Sequence, residues 1–194
     1  MKPALKTWLK TTAIAAGLLA AGAATAADGA GIGAATFNAQ GELVLPEGYR
    51  EWVFIGAPLT PHGLNDGKAS FPEYHHVYVN PDAFAVYQRT GEFPDGTVIA
   101  KELVLLQKGD FKDGSKNAPS GRGYFAGEFQ GMDVMVKDSQ RFKDSNGWGF
   151  FNFGHHAPPY LKAAEAAPIE SCAGCHSANV GKDMVFKIYY PVLR

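Results

Sequence analysis

The residues best suited to do chemistry lie together near the C-terminus, in the run Cys172-Ala173-Gly174-Cys175-His176. The spacing C-x-x-C-H is the signature of covalent haem attachment, in which both thiols bond to the haem and the adjacent histidine ligates the iron. The chain has two cysteines in all, so no thiol is left for a disulfide network. A redox-active C-x-x-C pair is the alternative, but it would be expected between a strand and a helix early in the domain. The pattern therefore predicts one haem c per chain, bound by Cys172 and Cys175, with His176 as the metal ligand.

The N-terminus has the three parts of a secretory signal. Lys2, Lys6 and Lys10 give a positive start, residues 11–21 are mostly apolar, and residues 24–26 (Ala-Thr-Ala) resemble a cleavage site. The apolar stretch is shorter than the about 20 residues that a membrane-spanning helix needs. We therefore expect cleavage after this site and a periplasmic protein, since c-type haem is attached in that compartment. An uncleaved membrane anchor is the alternative.

The composition fits a signal peptide over residues 1–26 followed by a single haem domain over residues 27–194. Hydrophobic residues make up 46% of the chain, enough to build a core around a haem, and no second apolar run is long enough to span a membrane. The 18 basic and 19 acidic side chains nearly balance. A nucleic-acid-binding protein would show a basic excess, so no nucleic-acid partner is expected.

Most segments of the mature chain have the pattern of strands. We predict strands over residues 52–56, 74–79, 97–106, 124–129, 132–136, 148–153 and 184–190, with Gln130-Gly131 as the turn of a hairpin. Short helices are predicted over residues 82–89 with Asn80 as the cap, 160–167, and 171–178 around the cysteines. Many strands and few helices, without βαβ alternation, predict an α+β fold with a mainly antiparallel sheet and the haem motif on a C-terminal helix.

One residue breaks the pattern of the strongest predicted strand. Alternation places Lys101 on the same face as Ile99, Leu103 and Leu105. An ammonium buried among aliphatic side chains is unfavourable unless it is paired or used chemically, and burial favours the neutral, nucleophilic amine. The alternative is an ordinary lysine whose stem covers the core while its ammonium reaches water. The alternation alone leaves both interpretations open.

Several segments, in order and spacing, resemble the cytochrome P-460 family from about residue 36 to the C-terminus. They are LPEGYREWV (45–53), LNDGK (64–68), VYVNP (77–81), TGEFPDGTV (90–98), KEL (101–103), VKDSQRF (136–142), CAGCH (172–176) and the end of the chain from residue 184. Apart from the haem motif none of these segments is specific alone. Their order and spacing together are specific, and by this resemblance the chain is identified as a member of that family.

The resemblance implies a modified cofactor. In that family a strand lysine forms an additional covalent bond to the haem, giving haem P-460, and the matching position is Lys101. The resemblance also implies a mostly β homodimer with a five-coordinate haem, and it places Phe71 and His75 with Lys101 at the catalytic site. His155 and His156 follow a predicted strand and are expected in a surface loop.

The activity implied by the resemblance is oxidation of hydroxylamine to nitrous oxide or nitric oxide at the open iron, with electrons passed to a periplasmic cytochrome. The alternative is a nitric oxide binding or scavenging protein of the cytochrome c-prime-beta type, which is similar in fold and lacks the lysine bond. A third possibility is an electron carrier, which would need a sixth iron ligand such as Met132, Met135 or Met184.

One departure from the family bears on catalysis. Some members place a carboxylate shortly before the haem motif, where it can accept substrate protons. Here that position is Ala167, with Glu165 and Glu170 as the nearest acids. Asp133 and Asp138, in the neighbouring strand region, are further candidates for the acid–base group. Without such a group turnover would be slow, and ligand binding would be the main activity.

Overall fold

The computed structural model describes residues 35–60, 62, 65–181 and 183–194. The predicted signal peptide, residues 1–26, lies outside the described residues. Within the described part of the chain, each helix is too short or too polar to cross a lipid bilayer.

A five-stranded antiparallel sheet forms the centre of the fold. Its strands, in both chain and spatial order, are β2 (Val53–Gly56), β3 (Tyr74–Val79), β4 (Val98–Lys108), β5 (Tyr124–Lys137) and β6 (Trp148–Asn152). A separate short pair joins β1 (Leu43–Val44) to β7 (Ala163–Ala164), and the two α-helices are α1 (Pro81–Thr90) and α2 (Cys172–Asn179). The prediction of an α+β fold with a mainly antiparallel sheet, and with the cysteine motif on a C-terminal helix, is confirmed.

The central sheet has two faces with different neighbours. Paired residues of antiparallel strands project their side chains to the same side, so the register places Val77, Lys101, Asp133 and Asn152 on one face. We call this the lysine face. The opposite side, on which Glu102 lies, is called the glutamate face.

Each face covers its own hydrophobic core. The core on the lysine face joins the sheet to both helices and to the C-terminal segment; its buried members include Val77, Val79, Phe84, Tyr87, Phe93, Ile99, Trp148, Phe150, Ala173, Met184 and Leu193. The core on the glutamate face joins the sheet to the short β1–β7 pair; its buried members include Leu43, Tyr49, Val98, Met132, Val134, Phe151, Phe153 and Ala164. The two cores hold β4 and β5 from both sides, so side chains at the centre of these strands have fixed positions.

Gln130 and Gly131 do not form the predicted turn. β5 runs without a break through both residues, so the two predicted strands are one. Its register with β4 pairs Gly131 with Leu103 and Phe129 with Val104, which leaves Gln130 as the extra residue of a β-bulge. A Cβ atom at Gly131 would lie 2.8 Å from Leu103 Cδ1. The glycine therefore marks a close approach inside a strand rather than a chain reversal.

The predicted helix over residues 160–167 is wrong, because the segment is extended and contains β7. Its backbone is hydrogen-bonded to β6 and to Phe153, the residue after that strand. The amide of Ala167 donates to the carbonyl of Phe150 (2.7 Å), and the amide of Leu161 donates to the carbonyl of Phe153 (2.9 Å). Alanine favours a helix by only a fraction of a kcal/mol per residue, and these sheet-like bonds override that preference.

The C-terminal strand predicted over residues 184–190 is also wrong. The described chain has a 3-10 turn at Lys187–Tyr189 in that place. Asp183 and Met184 have φ values of 84° and 53°, in the left-handed region, so an extended strand cannot begin there. Instead the chain turns, and the Met184 side chain enters the core on the lysine face.

The first helix, α1, lies where the sequence placed it; it ends at Thr90 and is followed by Gly91, which has a φ of 73°. Asn80 precedes the helix, but its side chain does not cap it. Asn80 Oδ1 accepts a hydrogen bond from the amide of Val98 (2.8 Å), and Nδ2 donates to the carbonyl of Gly96 (3.3 Å). The prediction that Asn80 caps the helix is therefore wrong. Its side chain binds the backbone at the start of β4 instead of the first turn of α1.

Candidate haem site

The helix α2 presents the two thiols and the histidine together. Cys172, Cys175 and His176 are spaced three and four residues apart, which places them on one side of an α-helix. Both thiols are exposed, whereas Ala173 is buried and packs the helix into the core on the lysine face. The thiols can therefore react with a haem that lies against this helix without any rearrangement of the core.

The imidazole of His176 is oriented by the C-terminal turn. Its Nδ1 lies 2.6 Å from the carbonyl oxygen of Met184, and because a carbonyl can only accept, Nδ1 carries the proton. The rings of Phe150 and Phe186 lie 4.8 and 4.9 Å from the imidazole, measured between centroids. Nε2 is thus left as the ligating nitrogen, with the hydrogen-bonded partner atom that metal-binding histidines usually have.

The electrostatic surroundings of His176 favour its neutral form, which is the form that binds a metal. Burial lowers the pKa of the imidazole, the hydrogen bond to Met184 opposes this shift, and the positive charge of Lys101 lowers the pKa further.

Lys101 is partly exposed, and its ammonium has two partners. Its side chain keeps 28% of its accessible surface, and Nζ lies 3.0 Å from Asp133 Oδ2. Nζ also lies 4.7 Å from the centroid of the Phe71 ring, which is within the range of a cation–π contact. Lys101 is therefore neither buried among aliphatic groups nor fully solvated.

Asp133 joins Lys101 to two further polar side chains. Its Oδ1 accepts a hydrogen bond from Asn152 Nδ2 (2.7 Å) and lies 3.2 Å from His155 Nε2. Burial would raise the pKa of the Asp133 carboxyl, but the charge of Lys101 and the hydrogen bond and charge of His155 outweigh it and hold the pKa well below its usual range. The carboxyl is therefore ionised while Lys101 carries its charge.

Three rings form one wall of this cluster. The ring of Phe71 lies 5.3 Å from His155 and 6.0 Å from His75. His75 Nε2 lies 3.5 Å from Thr60 Oγ1. Burial, reinforced by the charge of Lys101, lowers the pKa of His75 to about 4, so this imidazole is neutral near pH 7. His155 was expected in a surface loop; it is exposed in the bend after β6, and it also contacts both Phe71 and Asp133.

The other acids considered from the sequence do not join this cluster. Glu165 and Glu170 are exposed. Asp138 accepts hydrogen bonds from the backbone amides of Gln140 (3.0 Å) and Arg141 (2.9 Å) and so stabilises a turn. Of the four acids named from the sequence, Asp133 is the one that lies beside Lys101.

The three methionines have different surroundings. Met132 lies on the glutamate face and is fully buried there. The sulfur of Met184 lies 3.5 Å from Asn146 Nδ2, in the core. Met135 is partly buried on the lysine face, between Ile99 and Phe150 in the register of the sheet.

The sequence interpretation overlooked a second polar cluster, on the glutamate face. Glu102 is fully buried; it accepts hydrogen bonds from Tyr49 Oη (2.7 Å) and Tyr160 Oη (3.1 Å), and it pairs with Arg50, whose Nε lies 3.0 Å from Oε2. Burial, the hydrogen bond to Glu102 and its charge raise the pKa of Tyr49. Glu102 stands among apolar residues of its strand face, the same signal that drew attention to Lys101.

These observations fit a covalently bound haem. Two exposed thiols and an imidazole with a fixed tautomer lie on one helix, and the aromatic rings of Phe150 and Phe186 provide an apolar surround. Cys172, Cys175 and His176 would hold the group. The fold and the site thus define a protein of the c-type haem class.

Comparison with known proteins gives the family. The family model described as Cytochrome P460 matches residues 46–187. Since this match covers well over half of the chain, the chain belongs to the Cytochrome P460 family, and the resemblance seen in the sequence is confirmed. Membership implies haem c binding and an association with haem oxidoreductase activity. No curated protein matches the chain.

Proposed function

We propose that this chain is a periplasmic haem c oxidoreductase that oxidises hydroxylamine to nitrous oxide or nitric oxide and passes the electrons to a cytochrome acceptor. We further propose that it acts as a homodimer. When bound, the haem supplies an iron that takes the nitrogen of the substrate and accepts its electrons. The chain's own residues bind the haem and handle the protons, and the observation that carries the proposal concerns those protons.

That observation is the row of polar groups formed by Lys101, Asp133 and His155. Oxidation of hydroxylamine releases equal numbers of protons and electrons, whereas simple binding of nitric oxide releases none. Asp133 lies 3.0 Å from Lys101 on one side and 3.2 Å from the exposed His155 on the other. A carboxylate between Lys101 and an exposed imidazole can take up a proton and hand it to solvent. This arrangement favours the oxidase over a protein that only binds its ligand.

The proposed bond between Lys101 and the haem would make Asp133 a better base. The charge of Lys101 is a main reason why the pKa of Asp133 is low. A lysine nitrogen bonded to the haem no longer provides a fixed ammonium, so the pKa of the carboxyl rises toward the range in which it can accept protons near neutral pH. In this proposal Asp133 takes the part that a carboxylate near Ala167 has in other members.

The other residues of the cluster have supporting parts. The Phe71 ring contacts the Lys101 ammonium, and the neutral His75 beside it adds no charge that would compete for Asp133. His176 would hold the iron. The side chain of Met132 is on the far side of the sheet and that of Met184 contacts Asn146, which argues against these two as iron ligands. Met135, on the lysine face beside Phe150, is the methionine that an electron carrier would have to use.

Steady-state oxidation of hydroxylamine by the purified haem-loaded protein, with an artificial one-electron acceptor, tests the proposal. We expect turnover in the wild type and a loss of about 10²-fold in Asp133→Asn, the scale of a lost acid–base group. Asp110→Asn is the matched control, because Asp110 pairs with a lysine, Lys116, in an exposed loop. A wild type that binds nitric oxide but does not turn over hydroxylamine would contradict the proposal.

The binding protein for nitric oxide is retained as a second candidate because of one observation. Residue 167 is alanine, and the nearby acids Glu165 and Glu170 are exposed. If Asp133 does not act as the base, the pocket has no other carboxylate among those considered, and tight binding without turnover is the expected behaviour.

A further inference from the structure

A strained turn next to the haem helix is held by a buried ion pair. Asp183 and Met184 are consecutive residues with positive φ, 84° and 53°, and neither is glycine. Such conformations are unfavourable for residues with a Cβ, and they persist only where the surroundings hold them in place. The carbonyl of Met184 is the group that accepts the hydrogen bond from Nδ1 of His176 (2.6 Å). The strained residue Met184 is therefore also the residue whose carbonyl orients His176, the proposed iron ligand.

The side chain of Asp183 supplies the restraint. It is 3% exposed and carries a full set of partners: the backbone amide of Phe93 donates to Oδ2 (3.1 Å), Lys137 pairs with Oδ1, and Lys187 Nζ lies 3.6 Å from Oδ2. These partners come from β5, from the loop before β4, and from the C-terminal turn. One carboxylate thus connects three parts of the fold at the residue before Met184.

The two lysines are themselves fixed. Lys137 Nζ also donates to the carbonyl of Phe93 (2.6 Å) and lies 5.6 Å from the centroid of the Trp148 ring. Lys187 Nζ donates to the carbonyl of Gly91 (3.1 Å). Asp183 is therefore held against the sheet, and the peptide that follows it has little freedom to move.

We propose that Asp183 is a positioning residue for His176: by fixing the strained turn it keeps the Met184 carbonyl on Nδ1 and so raises the electron density at Nε2. A hydrogen bond to the far nitrogen of a metal-ligating histidine fixes its tautomer and increases its basicity. A more basic imidazole gives a stronger bond to iron and favours the ferric over the ferrous state. The proposal rests on His176 being the iron ligand, and it does not depend on the hydroxylamine reaction.

The iron–histidine stretching frequency of the ferrous, ligand-free holoprotein reports this effect directly, and the reduction potential reports its consequence. In Asp183→Asn we expect the stretch to move to lower frequency and the potential to rise. In Lys187→Gln, which removes the more distant cation, we expect smaller shifts in the same directions. Asp110→Asn, in an exposed ion pair far from the turn, is the control and should leave both quantities at the wild-type values.

The outcomes separate positioning from general stability. If Asp183→Asn lowers the melting temperature but leaves the stretch and the potential unchanged, the residue is merely structural and the proposal is wrong. If Asp183→Asn does not yield folded haem protein, Lys137→Gln and Lys187→Gln decide, since each removes one cationic partner of the Asp183 carboxylate while leaving Asp183 and Met184 unchanged. Unchanged frequencies and potentials in both would overturn the proposal. Both measurements are independent of turnover, so failure of the proposed oxidase activity leaves this test intact.

Discussion

Lys101 and Glu102 are neighbours in β4, yet they belong to opposite kinds of site. Glu102, on the glutamate face, is completely buried, and the hydroxyls of Tyr49 and Tyr160 donate to it while Arg50 pairs with it. Lys101, on the lysine face, is partly open, with one carboxylate at 3.0 Å and an aromatic ring beneath its ammonium. Both are charged residues in a strand otherwise rich in aliphatic side chains, and only their surroundings distinguish them.

The two charged groups differ in how completely their hydrogen-bonding positions are occupied. Glu102 has its oxygens occupied by three donors from two segments of the chain, Tyr49 and Arg50 in one and Tyr160 in the other, so it acts as a fixed anchor between the sheet and the segments that cover it. Among the described residues, the Lys101 ammonium contacts Asp133 and the Phe71 ring, and Asp133 in turn contacts the exposed His155. A group with fixed, complete partners favours rigidity, whereas a group with an open side and a route for protons suits chemistry.

The strongest test of the anchor is Glu102→Gln. The new amide would turn its NH₂ group toward donors of Arg50 or Tyr49, leaving buried hydrogen-bonding groups unpaired, and we expect a loss of about 3 kcal/mol in the free energy of unfolding. Urea denaturation measures it. Glu128→Gln, the same exchange at an exposed site of β5, is the matched control and should change the stability by about 0.5 kcal/mol or less. A loss no greater than that of the control would remove the distinction between the two faces.

The second test uses the neutral histidine on the lysine face. Because the pKa of His75 falls from 6.5 to about 4 on folding, the unfolded chain takes up a proton between these pH values that the folded chain does not. Stability that is fully present above pH 6.5 is therefore lost as the pH falls toward 4, by about 2 kcal/mol after allowance for the partial exposure of the ring. Denaturation curves of the wild type and His75→Gln across this window should diverge, with a flatter pH dependence in the variant. The exposed His156→Gln should follow the wild type.

The smallest expected effect on stability is that of Asp133→Asn. Lys101 and Asp133 both keep part of their surface in water, so the ion pair stabilises the fold by about 1 kcal/mol or less. The same variant is expected to lose most of its hydroxylamine turnover, as argued above. A stability loss as large as that of Glu102→Gln would show that the pair on the lysine face is also an anchor.

Much of the fold could be predicted because local signals agreed with the tertiary structure. The alternation of Tyr74–Val79, the proline at the start of α1 and the glycine after it, and the spacing of the cysteine motif all indicated elements that are present. The incorrect predictions concern segments whose conformation is determined by contacts with residues distant in the sequence. A glycine after Gln130 is equally compatible with a turn and a bulge, and only the register with β4 selects the bulge.

The candidate site was predictable in its parts but not in its connections. The motif indicated Cys172, Cys175 and His176, and the strand pattern drew attention to Lys101. Which carboxylate meets that lysine depends on the register of β4 against β5, which pairs Lys101 with Asp133 and which no local pattern encodes. The contact between His155 and Asp133 arises in the same way, from the chain that follows β6.

The central claim is that Lys101 is a chemically used lysine and Glu102 a structural acid, and the haem peptides of the protein test it most directly. We predict that mass spectrometry of a tryptic digest of the haem-loaded protein finds one haem joining the segment of residues 172–176 to the peptide that contains Lys101. In Lys101→Gln the haem should remain on the two cysteines alone. A wild-type digest in which haem is attached only to Cys172 and Cys175 would contradict the account and favour the nitric oxide binding protein.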